Sequence, residues 1–267
     1  MQSLPELLRL RPRRPTVSVV RLQGAIGTGG ARALTDAGLA PVLEAAFRGK
    51  PVAVALQINS PGGSPVQSSL IAARIRRLAD EKRVPVVAFV EDVAASGGYW
   101  LATAADEILC DPGSLLGSIG VISSGFGFQD LIARVGVERR VHTAGRSKSM
   151  LDPFRPEKPD DVERLGRWLS QLHDVFVAHV RSRRGARLRD DPDLFTGEVW
   201  IGERAVNVGL ADGIGHLVPV MKDRFGDKVR FRRFGQRRPF LSRFGLSLAE
   251  EAAGLIEERT AFGRFGL

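Results

Sequence analysis

Apolar and β-branched residues alternate in part over 16–26, which predicts a strand. Leu39, Val42, Leu43, Ala46 and Phe47 then recur at three- and four-residue spacing, the stripe of a helix. The run Val52-Ala53-Val54-Ala55-Leu56-Gln57-Ile58 is apolar at both alternating sets of positions, as in a strand covered on both faces. It breaks at Asn59-Ser60-Pro61-Gly62-Gly63. Ser64 followed by Pro65 then supplies an N-cap and a first-turn proline, so a helix opens there and carries Leu70, Ile71, Ile75 and Leu78 inward. The same reading predicts strands over 84–90, 108–110, 119–122, 137–143 and 196–201. It predicts helices over 96–104, 130–135, 160–183 and 203–208, the last closed by Gly209. Residues 145–159, rich in Gly, Ser and Pro, read as a loop. Strands alternating with helices argue an α/β fold with a mainly parallel sheet.

Composition narrows the class. The 267 residues are 43% hydrophobic and 26% charged, ordinary globular values that exclude wholesale disorder. The single cysteine, Cys110, excludes an intrachain disulfide framework and a cysteine-built zinc site. No apolar run approaches the length of a spanning helix. The Leu-then-Arg start is not a secretory signal, whose basic residues precede its apolar stretch. The formal net charge of +9 sits at the ends. Residues 1–30 carry +4, 31–227 are balanced, 228–249 carry +7 and 250–267 carry −2. Three segments follow: a basic extension over 1–15, a body over 16–227 and a basic, Phe-rich extension over 228–267.

Two loops follow buried strands and open helices: Asn59-Ser60-Pro61-Gly62-Gly63-Ser64 and Ala94-Ala95-Ser96-Gly97-Gly98-Tyr99. Ligands of open α/β sheets bind beyond the carboxyl ends of strands. Glycine pairs at helix starts leave amides free to stabilise a developing oxyanion, and Ser96 is placed as a nucleophile. Tight turns whose serines merely cap helices use the same residues. A serine nucleophile needs a base, and His142, His173, His179 and His216 form no triad or metal spacing. Lysine is the other base for serine, whereas arginine does not deprotonate. Of the 39 cations only six are lysines. Of these, Lys148, in Gly145-Arg146-Ser147-Lys148-Ser149, follows a predicted strand at the same sheet end as the glycine loops.

With those pieces in place the chain resembles the signal peptide peptidase A family of serine peptidases, of the Clp-protease/crotonase fold. The resemblance rests on Asn59-Ser60-Pro61-Gly62-Gly63, Ala95-Ser96-Gly97-Gly98-Tyr99 and Gly117-Ser118-Ile119-Gly120-Val121. It continues through Gly145 to Ser149 with Asp152-Pro153-Phe154, and through Thr196-Gly197-Glu198-Val199-Trp200 to Gly209-Leu210-Ala211-Asp212. These occur in family order over about residues 50–215. The resemblance implies that Ser96 is the nucleophile and Lys148 the general base, with Ser118 orienting the lysine. The amides of Gly63 and Gly97 form the oxyanion hole, and Gly62, Gly98 and Tyr99 contact substrate. Tyr99 and Trp100 are expected to help wall the groove. It further implies extended apolar peptides as substrates, such as remnant signal peptides, no cofactor or metal, and a homo-oligomeric ring whose protomers share the dyad. A lysine acts as base only when neutral, which desolvation favours. A crotonase-like acyl-CoA enzyme shares the fold but leaves the Ser96 and Lys148 pair without a role. A silent scaffold or nucleic-acid binder would use only the basic ends.

Those ends interleave Arg with Phe231, Phe234, Phe240 and Phe244. The pattern suits an anionic lipid surface, stacked single-stranded bases, or a solvated extension. Lipid is favoured over nucleic acid for an enzyme of membrane-derived peptides. The expected location is the cytoplasm, with peripheral contact at the inner membrane face.

Overall fold

A computed structural model describes residues 14–27, 33–145, 147–235 and 260–267. The N-terminal extension up to residue 13 and the Phe-rich stretch over 236–259 lie outside them. Four parallel strands make the centre: β1 (Thr16–Gln23), β2 (Ala53–Ser60), β3 (Val86–Ala95) and β4 (Glu107–Cys110). Beside β3 runs β5 (Leu115–Gly117), parallel to it, and β6 (Val199–Ile201) pairs antiparallel with β5. The short β7 (Gly213–Ile214) continues from β4, and β8 (Arg230–Phe234) lies parallel to β1 at the other edge. The path through the sheet is β6-β5-β3-β2-β1-β8, with β4 and β7 branching from β3.

The apolar run of β2 is explained by its position. Val54, Leu56 and Ile58 face α1 (Asp36–Arg48), α2 (Pro65–Lys82) and α3 (Gly97–Ala102), where Leu39, Leu43, Phe47, Ile71 and Ile75 are wholly buried. Ala53 and Ala55 face the opposite side with Val17, Val19, Val87 and Phe89, beneath Met221 of α7 (Leu217–Phe225), which follows the short α6 (Glu203–Asn207). Each fully buried Leu, Ile or Phe contributes about 1.5–3 kcal/mol of transfer free energy. This larger layer therefore dominates stability. Thr35 caps α1 by accepting from the Gly38 amide, and Ser64 caps α2 by accepting from Gln67.

A long helix, α5 (Pro159–Arg184), is held mainly by its second half. Phe176 and Val180 are buried, and the side chain of Arg184 is buried to 2% exposure in a bidentate pair with Asp212, both bonds 2.9 Å. Asp212 also accepts the Ile108 amide at 2.7 Å, and Arg184 donates to the Gly209 carbonyl at 2.8 Å. The Gly209-Leu210-Ala211-Asp212 motif is thus a clamp tying α5 to β4. Burial opposes the charge on Asp212, yet the Arg184 bonds and the Ile108 amide still hold its carboxyl below the usual range.

Three expectations change. The strands expected over 119–122 and 137–143 do not form. The sheet edge beyond β5 is taken by β6, so those β-branched residues find no ladder to join. Here the chain instead makes an exposed arm with a short helix, α4 (Gln129–Arg134). The C-terminal segments α7 and β8 were not anticipated. Because β8 pairs with β1 from Thr16↔Arg230 to Val20↔Phe234, the sheet runs past the boundary drawn at residue 227.

Candidate active site

Because β2 and β3 are parallel neighbours, the loops after Ser60 and Ala95 leave the sheet side by side at its carboxyl edge. Glycines let them touch. A Cβ on Gly98 would collide with the Ser60 carbonyl oxygen, and one on Gly62 would stand 2.8 Å from the Ser96 Cβ. A Cβ on Gly97 would lie 3.4 Å from the Gly63 nitrogen, so the two expected oxyanion donors are close neighbours. Gly63 is held at φ +142 by a bridge with Ile26: the Ile26 amide donates to Gly62 O at 2.8 Å, and Ser64 N donates to Ile26 O at 2.7 Å. That pairing uses the Gly62 carbonyl and the Ser64 amide, and not the Gly63 amide. Gly97 opens α3, where no helical acceptor precedes it. Neither amide donates to another group among the described residues.

Ser96 separates from the capping reading. Ser64 does cap its helix, whereas the Ser96 side chain makes no cap bond. Its backbone sits at φ 52, ψ −121, a conformation that costs a non-glycine residue about 1–3 kcal/mol. Two bonds hold it there: Ser96 N to Gly117 O at 2.8 Å and Trp100 N to Ser96 O at 3.0 Å. In that conformation the hydroxyl makes none of the bonds to the α3 amides that a cap would make.

Ser96, Gly63, Gly97 and Ser118 line a groove of about 440 Å³. Its other walls are Pro61, Pro65 and Trp100, Val121 and Ile122 of the arm, Leu172 and Phe176 of α5, Thr196 and Gly197, and Arg264. Trp100 is stacked against Phe176 (ring centroids 5.0 Å) and His179 (4.3 Å), which seats α5 along the groove. The His179 Nε2 and the Thr103 hydroxyl are 2.8 Å apart, and burial lowers the imidazole pKa to about 4. His179 is therefore a neutral packing element. Ser118, itself at φ 48, is fixed by donation from its amide to Glu198 O at 2.7 Å.

Some expected residues stand elsewhere. Tyr99 is wholly buried and donates to Leu210 O at 2.9 Å, so it locks the core instead of lining the groove. Burial keeps its phenol protonated. Gly62 and Gly98 are buried between the two loops, where their role is close approach and not substrate contact. Lys148 lies in an exposed turn closed by its amide to Gly145 O at 3.2 Å, outside the groove wall, and makes no bond with Ser118 within the chain. Its neighbour Arg146 is outside the described residues. The arm carrying Lys148 exposes Ile122 (66%), Phe126 (80%), Val135 (66%) and Val137 (56%). Leu172 and Phe176 were legible as part of a helical stripe, but not which site the stripe faces. Nothing in the sequence pointed to Arg264. Among the described residues no group of His, Cys, Asp and Glu is arranged to hold a metal ion.

A family model, Peptidase family S49, matches residues 78–224. The chain is 30% identical over 201 residues to the chloroplastic serine protease SPPA of Arabidopsis thaliana, covering 75% of this chain and 29% of that one. It is 50% identical over 291 residues to a Brucella melitensis protein named Na(+)/H(+) antiporter NhaA, covering 99% of this chain. The chain spans 40% of that relative's length, and the antiporter name describes that longer protein. Among the described residues no helix is long and apolar enough to cross a membrane. Two solved structures of the 1510-N membrane-bound stomatin-specific protease, both 15% identical, share the fold. A serine-to-alanine mutant superposes with TM-score 0.52 over 85% of this chain and 99% of that one. A lysine-to-alanine mutant in complex with a substrate peptide gives 0.54 over 91% and 98%.

Proposed function

Since the chain belongs to peptidase family S49, we propose that it is a serine endopeptidase acting on extended apolar peptides, with Ser96 as nucleophile and Lys148 as base. The observation that carries the reading is the strained, uncapped Ser96 beside the two unengaged amides of Gly63 and Gly97. Ser96 Oγ attacks the scissile carbonyl while the lysine amine takes its proton. The two amides receive the oxyanion, and the lysine returns the proton to the leaving amine. The acyl-enzyme is then hydrolysed by water through the same steps.

Lys148 reaches this site from a neighbouring copy. In support, Lys148 stands outside its own chain's groove, and its arm exposes several large apolar side chains, as surfaces covered in an assembly do. Burial of a lysine in such an interface favours its neutral form. Ser118, which lines the groove, orients the incoming amine in this reading. The apolar walls, Trp100, Leu172 and Phe176 among them, suit apolar peptide side chains such as those of signal-peptide remnants. The exposed Arg230, Arg232 and Arg233 of β8 add a basic edge suited to anionic lipid, which co-flotation of the intact protein with anionic vesicles at low salt checks.

The test is hydrolysis of a leucine-rich signal-peptide substrate. Ser96→Ala and Lys148→Ala should each reduce turnover by about a thousandfold or more. Mixing the two inactive variants should restore part of the activity, because some interfaces then pair an intact Ser96 with an intact Lys148. Full activity in Lys148→Ala ends the dyad reading. Failure of the mixture to recover, with both variants assembled, ends the shared site.

A further inference from the structure

The Asp152-Pro153-Phe154 motif follows the Lys148 turn directly, and each of its residues is tied to another part of the arm. The Asp152 side chain is only 7% exposed. One of its carboxylate oxygens accepts the Phe154 amide at 3.1 Å, and the other accepts Arg139 Nε at 3.3 Å. Pro153 O accepts the amide of Phe128, the residue that opens α4, at 2.6 Å. The Phe154 ring packs against Phe128 (ring centroids 5.6 Å) and lies beneath the Arg139 guanidinium, 5.5 Å from the ring centroid. The Phe154 amide, joined by Arg139, holds the Asp152 carboxyl below the usual range, so it is an anion wherever the enzyme works. The turn before it is held differently. Among the described residues its backbone bonds are Lys148 N to Gly145 O at 3.2 Å and Met150 N to Ser147 O at 3.3 Å, both internal to the turn, and Leu151 leaves it at φ 55.

From this arrangement we infer that Asp152 is a positioning residue for the base: its carboxylate, bonded to Arg139, pins the Lys148 turn to the rest of the arm, so that the amine arrives correctly at Ser96 of the neighbouring copy. The inference rests on the shared Ser96 and Lys148 dyad proposed above. Lysine carries its amine on a flexible four-carbon stem, so the seat of the turn decides where the amine can reach. Asp152 is the first residue after the turn that bonds to a distant segment, and losing it frees the turn at that end. Phe128, Arg139, Asp152 and Phe154 all stand outside the groove wall, so the substrate's own binding surface does not depend on them. A defect here therefore falls on proton transfer and leaves peptide binding in place.

The experiment uses the full chain carrying Asp152→Ala or Asp152→Asn, each checked for assembly by gel filtration, on the leucine-rich signal-peptide substrate. Asp152→Ala should lower kcat by about a hundredfold, the scale of a misplacement of about 1 Å, with KM within about twofold of the parent. Asp152→Asn keeps an acceptor for the Phe154 amide and should recover most of that loss. Mixing then assigns the defect to one side of the shared site. Asp152→Ala mixed with Ser96→Ala should regain activity, because Ser96→Ala brings an intact Lys148 turn to the intact Ser96 of its neighbour. Mixed with Lys148→Ala it should not, because neither partner then brings a well-held lysine. Recovery with Lys148→Ala, or with neither, overturns the inference where the control mixture of Ser96→Ala and Lys148→Ala recovers. Where that control fails too, the shared site falls, and the exchange of the turn decides for Asp152. Hydrogen exchange over residues 147–154, read by mass spectrometry in the Ser96→Ala background, needs no turnover. Adding Asp152→Ala should speed it about tenfold and leave α5, β2 and β3 unchanged. Equal exchange overturns the inference, whatever becomes of the peptidase reading.

Discussion

The Arg184–Asp212 clamp allows a prediction with an internal order. Arg184→Met removes two 2.9 Å bonds to Asp212 and one 2.8 Å bond to Gly209 O, but the apolar methionine stem still fills the space. Asp212 keeps the Ile108 amide, has exposed Arg187 at 3.4 Å, and can take up a proton. Asp212→Ala is the harsher change. It leaves a guanidinium with 2% side-chain exposure and only a carbonyl partner, and that group cannot discharge itself. Breaking a buried pair costs about 3–5 kcal/mol, so Arg184→Met should fall near the lower end and Asp212→Ala near the upper. In a domain of this size that is a fall in Tm of about 10 °C, and more for Asp212→Ala. Urea unfolding of the two single variants and the double variant completes the cycle. The double variant should be more stable than Asp212→Ala alone, because it removes the stranded charge. A larger loss for Arg184→Met than for Asp212→Ala, or a double variant with the sum of both losses, would refute the reasoning.

Other expectations follow from the same geometry. His179 has a folded pKa of about 4 against an ordinary 6.5, so its neutral form is the one the fold accepts. Stability should be full above pH 6.5 and decline as pH falls toward 4, by at most about 3 kcal/mol and by less after screening, since the ring is partly exposed. Thermal melts across that window check this, and His179→Phe should flatten the decline. Ser64→Ala should cost about 1 kcal/mol as a lost cap. Ser96→Gly should instead stabilise by about 1 kcal/mol, because glycine accepts φ 52 without strain, while activity disappears. Gly98→Ala drives a methyl into the Ser60 carbonyl oxygen, prising the two loops apart. It should lower kcat by about a hundredfold or more, the cost of misplacing an oxyanion donor, and a kcat within twofold of the parent would contradict the role given to the loop contact.

The residues that could be read directly were those whose type answers a local demand. The two-faced apolar run of β2, the Ser64-Pro65 helix start and the glycine pairs at 62–63 and 97–98 all say what their backbone must do, and the structure places them accordingly. What local type could not reveal was partnership. Val137 and Val141 have strand-forming side chains, but a strand exists only where a ladder edge is open, and β6 occupies that edge. Tyr99 sits in a functional motif beside Ser96, yet one turn of helix carries it into the core. Asp212 looked like the end of a motif and is the counter-ion of a buried arginine far away in sequence. The short β8, whose five residues are all Arg or Phe, carried a charge signal strong enough to disguise its place in the sheet.

That last strand has a consequence for how the molecule comes into being. β1 lies between β2 and β8, and β8 is made almost at the far end of the chain from it. While the polypeptide emerges from the ribosome, β1 can pair with β2 early, but its other edge stays unpaired until residues 230–234 have been synthesised. Closing so long a loop costs entropy that only the completed β1–β8 pairing can offset. A nascent or prematurely ended chain therefore displays an open, β-branched edge, the kind of surface that recruits other strands. Synthesis of residues 230–234, and not the assembly of the two glycine loops, is the step that closes this edge of the sheet.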